Sequence, residues 1–281
     1  MATLLLKIRS LQKSLPATQR AVADYILRHP DDVPFLPIHE LARAAGVSVA
    51  TISRFARGMG YRGLKDFKAQ LGRAKPPTMG GIYESIRGTD DDEKIITKVF
   101  AGNARSLEDT RQIVNHLELI RAGIALAKAR RLLFFGVGSS GYLAQDAALR
   151  FSQLGIPAEA YFDAYQVLVH GTYLKKGEAA IGISHSGRSA ITVKALDLAR
   201  RQGVLTVGIS NYLNSPLQKV SRHFLCTSFP ENRVKVAALS SRIAQMCLID
   251  ALYLLVARHR NIRPDRLEEL NDRAESLLRI P

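Results

Sequence analysis

From Leu4 to about Arg73, apolar residues recur three and four positions apart with almost no β-branched runs. That is the spacing of helices that each bury one face. The stretch Lys75-Pro76-Pro77-Thr78-Met79-Gly80-Gly81 breaks the pattern, because paired prolines and glycines cannot continue a helix. Residues 82–128 return to helical spacing and predict connecting helices. From Arg131 the period changes. Short apolar runs at Leu132–Gly136, Ala158–Phe162, Ala179–Ser184, Leu205–Ile209 and His223–Cys226 alternate with amphipathic stretches. Such alternation predicts βαβ units and a parallel sheet covered on both faces. The expected architecture is an N-terminal all-helical domain (1–75), a linker with connecting helices (76–128) and a C-terminal three-layer αβα domain with a five-stranded parallel sheet (129–281).

Two later stretches refine this outline. Ala244 to Ala257 is apolar on several sides through Met246, Leu248, Ile249, Leu252, Leu255 and Val256, and predicts a buried helix at the core or at a subunit interface. Arg263 to Arg279 alternates acidic and basic groups, as a solvated helix does. No apolar run approaches the roughly 18–20 residues of a membrane span. The opening Met1–Ser10 has only Leu4-Leu5-Leu6 and no cleavage-site pattern, so no membrane or secretory role is expected and the cytoplasm is the expected location. Cys226 and Cys247 lack CxxC spacing, and no histidines cluster, so neither a disulfide framework nor a metal site is expected. Both read as small core residues.

Charge adds a partner. The chain carries a net +15. Residues 1–75 hold 13 Lys and Arg against five acidic groups, a net +8, while the other 206 residues hold 27 against 20, a net +7. Positive charge concentrated on a short helical segment is the footprint of a module that grips a polyanion, and double-stranded DNA fits a helical reader.

The segment from His39 to Phe55 has helix-turn-helix grammar. Leu41, Ala42 and Ala45 give the first helix an inner face; Gly46 suits a left-handed helix end; Val47 fills the junction; Ser48 is a natural N-cap. In the second helix Ile52, Phe55, Ala56 and Met59 share a core face, with Ala50, Ser53, Arg54 and Arg57 opposite. A recognition helix presents base edges with its N-terminal part, so Ser48, Ala50, Thr51, Ser53 and Arg54 are the candidate base or nearby phosphate contacts. Arg57, Arg62, Lys65 and Lys68 suit phosphate. A plain helical hairpin with solvated arginines accounts for the same pattern without DNA.

The second half has two glycine- and serine-rich turns. Phe135-Gly136-Val137-Gly138-Ser139-Ser140-Gly141 follows a predicted strand and opens a helix, where backbone amides and the helix dipole favour an anion. It also matches GxGxxG with Asp163 downstream, which keeps a nicotinamide-binding reading open. Ile183-Ser184-His185-Ser186-Gly187-Arg188-Ser189 follows the third predicted strand and offers hydroxyls at 184, 186 and 189. Capping of a helix is the structural reading of those serines. Two such loops at strand carboxyl ends, converging where doubly wound sheets bind ligands, favour a phosphorylated ligand.

These residues resemble a known family. Leu41-Ala42, Gly46-Val47-Ser48, Ala50-Thr51-Ile52, Arg54-Phe55, Gly60-Tyr61, Gly63 and Lys65 to Leu71, together with Gly136 to Ser140, Ser184 to Gly187, Asn211, Ser215 to Leu217 and Ser240 to Gln245, are similar to the RpiR-type regulators, which join a helix-turn-helix to a sugar isomerase (SIS) domain. The resemblance covers nearly the whole chain. It implies a homodimeric or homotetrameric transcription regulator of sugar catabolic genes, bound to a DNA operator and controlled by a phosphorylated sugar. It also implies sugar contacts from Ser140, Ser184, His185, Ser186 and Ser189. Gly138, Ser139 and Gly187, in the same turns, complete the expected site. His185 departs from the commoner Gln and Ser189 from the commoner Thr. No cofactor and no metal is expected.

Relatives of this fold that isomerise sugars use a carboxylate or histidine to move a proton. Glu231 resembles the position of such a glutamate, with His170 and His223 as other candidates. Glu231 is expected to bind a ligand hydroxyl rather than catalyse. The alternative of a phosphosugar isomerase with an accessory helical domain leaves the basic head unexplained.

Overall fold

The protein's structure, a computed structural model, describes residues 2–30, 32–72, 90–228 and 239–263, with 265, 268, 269 and 272 beyond them. It divides into two units. The first holds Met1–Ile113 with Tyr212–Ser215 and Ser228–Val236; the second holds Val114–Asn211, Pro216–Thr227 and Ala237–Pro281.

Among its described residues the first unit is built of helices joined by turns, with no strand. Helices α1 (Ala2–Leu11), α2 (Ala17–Arg28), α3 (Ile38–Ala44), α4 (Val49–Gly58) and α5 (Leu64–Gly72) precede a long α6 (Asp92–Ile113). Their apolar stripes meet in one cluster that includes Leu5, Ile8, Val22, Ile26, Leu41, Ile52, Phe55 and Phe67, with Leu213 packed against it. Phe55 and Tyr61 meet Phe67 edge-on, with ring centroids 5.8 and 5.5 Å away. Pro16 and Pro37 stand directly before α2 and α3, where a missing N–H leaves no helix hydrogen bond unmade. On α6, Asp109 is turned inward beside Arg105 at 3.8 Å, and burial raises its pKa above the ordinary carboxylate value against the pull of Arg105 and Arg9.

The second unit begins with α7 (His116–Ala127) and alternates thereafter: β1 (Leu132–Phe135), α8 (Ser139–Gln153), β2 (Ala158–Tyr161), α9 (Ala164–Tyr173), β3 (Ala179–Ile183), α10 (Ala190–Arg201), β4 (Leu205–Ser210), the short α11 (Pro216–Lys219), β5 (His223–Cys226) and α12 (Leu239–His259). The five strands pair in parallel in the order β2-β1-β3-β4-β5. Four of the predicted strands end within a residue of the observed ones, and His223–Cys226 coincides.

The period of two along each strand feeds separate cores on the two faces. Leu132 and Phe134 join α7, α8 and α12 on one face. Leu133 and Phe135 join α9 and α10 on the other. β1, β3 and β4, in the middle of the sheet, are buried on both faces and read as continuous apolar runs, which is why they were legible without alternation, whereas the edge strands β2 and β5 are only partly buried.

One cysteine departs from expectation. Cys226 is buried, and burial pushes its thiol up to about 12. Cys247 is exposed, on the outward side of α12 with Leu254, which is 63% exposed. The helix predicted to be buried on several sides therefore leaves one face uncovered in the single chain. Among the described residues no helix is long and apolar enough to cross a membrane.

Candidate functional site

The turn between α3 and α4 is built as its residues dictate. Val47 donates its N–H to the Ala42 carbonyl at 2.9 Å, and Gly46 takes φ of 66°, a left-handed value that strains any residue with a Cβ. Ser48 is extended, and its Oγ accepts the Thr51 N–H at 3.3 Å, so α4 begins with a side-chain cap. Ile52, Phe55, Ala56 and Met59 are buried. Ser48 is exposed at the start of α4, as are Ala50, Arg54 and Arg57 along it and Lys65 on α5; Ser53 is half-buried.

Two of the expected contact residues are less accessible than the others. Thr51 is only 4% exposed. Its hydroxyl lies 3.0 Å from Ser48 Oγ and accepts from Arg54 at 3.4 Å, so in this structure it serves its neighbours. The signal was present in the sequence, since Thr51 precedes Phe55 by one turn on the core side. Lys68, expected at a phosphate, donates to the Leu36 carbonyl, and burial lowers its pKa. Arg62 lies 3.5 Å from Asp66 but is 91% exposed.

In the second unit the chain runs from β1 outward to β2, then back across to β3 on the other side of β1. The sheet therefore has its topological switch point between β1 and β3, the place where open α/β sheets form a ligand crevice at strand carboxyl ends. Phe135 pairs with Gly182 in register, so the loops following β1 and β3 leave the sheet side by side. These are the two glycine- and serine-rich loops.

The first is tightly folded. A Cβ on Gly136 would lie 2.5 Å from the Ser140 carbonyl oxygen, so only glycine lets the α8 N-terminus close onto the end of β1. Gly138 is the residue before α8 and supplies no side-chain cap; Ser139 and Ser140 open the helix, with Ser140 buried. The first amides of α8 thus meet a cap without a side chain, an arrangement suited to an anion.

The second loop is braced from within. Ser184 is 4% exposed, and its Oγ accepts the Ser189 N–H at 3.5 Å; Ser186 Oγ accepts the Arg188 N–H at 3.2 Å. A hydroxyl that accepts from backbone keeps its own O–H to donate elsewhere. Ser189, expected on structural grounds to cap α10, makes no side-chain cap bond; instead it accepts from Thr192 at 3.1 Å. Thr192 is fully buried and was not singled out in the sequence, although its place one turn after Ser189 is the available signal. The His185 carbonyl accepts from Asn211 N–H at 3.0 Å and Ser210 Oγ at 3.1 Å, and the Gly187 carbonyl from Leu217 N–H at 3.0 Å. The loop after β4 therefore holds the serine loop from the next strand over.

The acid–base candidates fare differently. His223 opens β5, three residues before its carboxyl end, and its Nδ1 lies 3.0 Å from Glu118 on α7. It ties a helix to the edge strand and stands away from the two loops. His170 stacks on Tyr161 with ring centroids 3.7 Å apart. Asp163, the acidic residue of a dinucleotide reading, caps α9 by accepting from the amides of Tyr165 and Gln166. Glu231 lies outside the described residues.

Residues 2–75 match the family described as "Helix-turn-helix domain, rpiR family", and residues 125–255 match the SIS domain family. An uncharacterized HTH-type transcriptional regulator of Caldanaerobacter subterraneus subsp. tengcongensis is 36% identical over 258 residues, covering 92% of each chain. One from Haemophilus influenzae is 32% identical over 256 residues, covering 90% of this chain and 89% of its own. Among solved structures, the Vibrio vulnificus NanR protein complexed with ManNAc-6P is 27% identical with a TM-score of 0.60 and covers 98% of both chains.

Proposed function

The chain belongs to the rpiR family of helix-turn-helix regulators that carry a SIS domain, and from that premise we propose that it is a DNA-binding transcription regulator of sugar or carbohydrate-derivative metabolism, controlled by a phosphorylated sugar. The observation that carries the sugar half is the pairing of β1 with β3, whose two hydroxyl-rich loops leave a switch point side by side. Gly138, Ser139 and Ser140 from the first loop, and Ser184, His185, Ser186, Gly187 and Ser189 from the second, form the phosphosugar site, with Glu231 on a sugar hydroxyl. Ser48, Ala50, Ser53 and Arg54 face the bases and nearby backbone, and Arg57 and Lys65 take phosphates.

The division of labour follows the chain: 1–75 for DNA, 76–128 as connector, 129–281 for the sugar. A homodimer places two recognition helices on successive major grooves of a near-palindromic operator. The second domain senses and does not isomerise, a reading supported by the basic helical head that an isomerase does not require. The protein works in the cytoplasm, where its operator is.

A thermal-shift panel of hexose, pentose and N-acetylhexosamine phosphates, including ManNAc-6P, tests the ligand class against NAD(H). Saturation at a hundredfold over Kd raises Tm by roughly 5 °C. A rise with NAD(H) and none with any sugar phosphate contradicts the reading. Turnover of any panel member into its isomer contradicts the non-enzymatic part.

A further inference from the structure

We propose that Thr51 is a positioning residue for Arg54, and that its buried hydroxyl aims the guanidinium so that Arg54 reads a guanine at one fixed base pair of the operator. The inference rests on the DNA-binding reading above and names what sets its specificity.

Thr51 lies on the core stripe of α4 and is only 4% exposed, so its hydroxyl calls for a reason. A buried hydroxyl must find partners. Thr51 Oγ1 has two: Ser48 Oγ at 3.0 Å and the Arg54 guanidinium at 3.4 Å. Arginine has no acceptor, so Thr51 is the acceptor in that contact. Ser48 Oγ, which already accepts the Thr51 N–H at 3.3 Å, shares a second hydrogen bond with the Thr51 hydroxyl in which either oxygen can donate. The contacts thus form a chain from the Arg54 guanidinium through the Thr51 hydroxyl to the capping Ser48.

Arg54 itself is exposed, and among the described residues no carboxylate pairs with it. Its charge is therefore available to an outside partner. One hydrogen of one terminal nitrogen is held by Thr51, which leaves a parallel pair of donors on the remaining edge of the fork. Such a pair matches the O6 and N7 acceptors of guanine in the major groove. An arginine held in advance also loses less rotamer freedom when it docks. Arg54 sits one turn beyond Thr51, at the sixth of the ten positions of α4 and on its exposed face, next to the N-terminal part that a recognition helix presents to base edges.

In vitro selection of the full chain on a randomised duplex library, compared across variants, tests this. The wild type selects guanine at a position where Arg54→Ala erases the preference. Thr51→Val lowers that same preference about tenfold, and Thr51→Ser restores it. Thr51→Val keeps the backbone cap to Ser48, so its affinity for a random duplex and its salt slope match the wild type. A merely structural role for Thr51 would lower affinity for every sequence alike and leave the base preference intact. Should the valine variant fail to fold, Thr51→Ala carries the same prediction in a residue with higher helix propensity. If Thr51→Val selects the wild-type sequence with undiminished preference, the inference is overturned and the DNA-binding reading stands. If the wild type enriches no sequence at all, both fall together.

Discussion

Single hydroxyls decide what the serine loop can do. Ser184 is buried and bonded to backbone through its acceptor side, which leaves its proton for a ligand. Replacing Ser184 and Ser186 together with alanine should abolish the rise in Tm with any sugar phosphate, while affinity for a selected duplex in the absence of sugar stays within twofold of wild type, about 0.4 kcal/mol. Loss of DNA binding with a surviving sugar response would reverse the assignment of roles. The two cysteines make a second residue-scale test. With its thiol pushed up to about 12 by burial, Cys226 carries almost no thiolate at pH 8 and should resist alkylation in the native protein. Exposed Cys247 should react, so mass spectrometry of the native chain should show one modification, rising to two in denaturant. Single residues were also where the sequence was hardest to read. Thr51 and Cys247 lie at the margins of helical stripes, and periodicity locates a stripe's centre better than its edge.

Elements were more legible, because each is specified by many positions at once. The parallel strands appear as apolar runs, and the turn between α3 and α4 appears through Gly46 and Ser48, whose roles depend only on local geometry. What periodicity could not supply was the use of polar groups buried inside elements, such as Asp109 on α6 or Thr192 on α10, because that depends on what packs against them. Gly46→Ala meets no atom within 4 Å and adds only backbone strain, so it should cost about 1 kcal/mol of stability without altering sugar binding. Gly136→Ala puts a methyl into the Ser140 carbonyl and should abolish the phosphosugar shift. On α6, burial raises the Asp109 pKa above its unfolded value, so ionising it opposes folding. The stability of the wild type therefore falls as pH rises through that interval, and is fully reduced above the folded pKa. Asp109→Asn should melt higher than wild type at pH 7, and the gap should close as pH falls below the folded pKa. A variant that melts lower at pH 7 would mean that the Arg105 and Arg9 attractions outweigh desolvation.

At the scale of the whole molecule, the charge asymmetry and the two strand-end loops describe two binding functions in one chain. Half of the net charge lies in the first 75 residues, so affinity for duplex DNA should fall steeply with salt, with log K dropping by roughly 0.9 for each phosphate contact per tenfold rise. Control by sugar requires more than two sites. The ligand must favour one DNA-binding state over another, and linkage makes the effect reciprocal. The direct measurement is the Kd of the full chain for its selected duplex with and without a saturating sugar phosphate, beside the Kd for that sugar with and without duplex. The account predicts that both change by the same factor, on the order of tenfold. A duplex affinity unchanged by a sugar that demonstrably binds would contradict it.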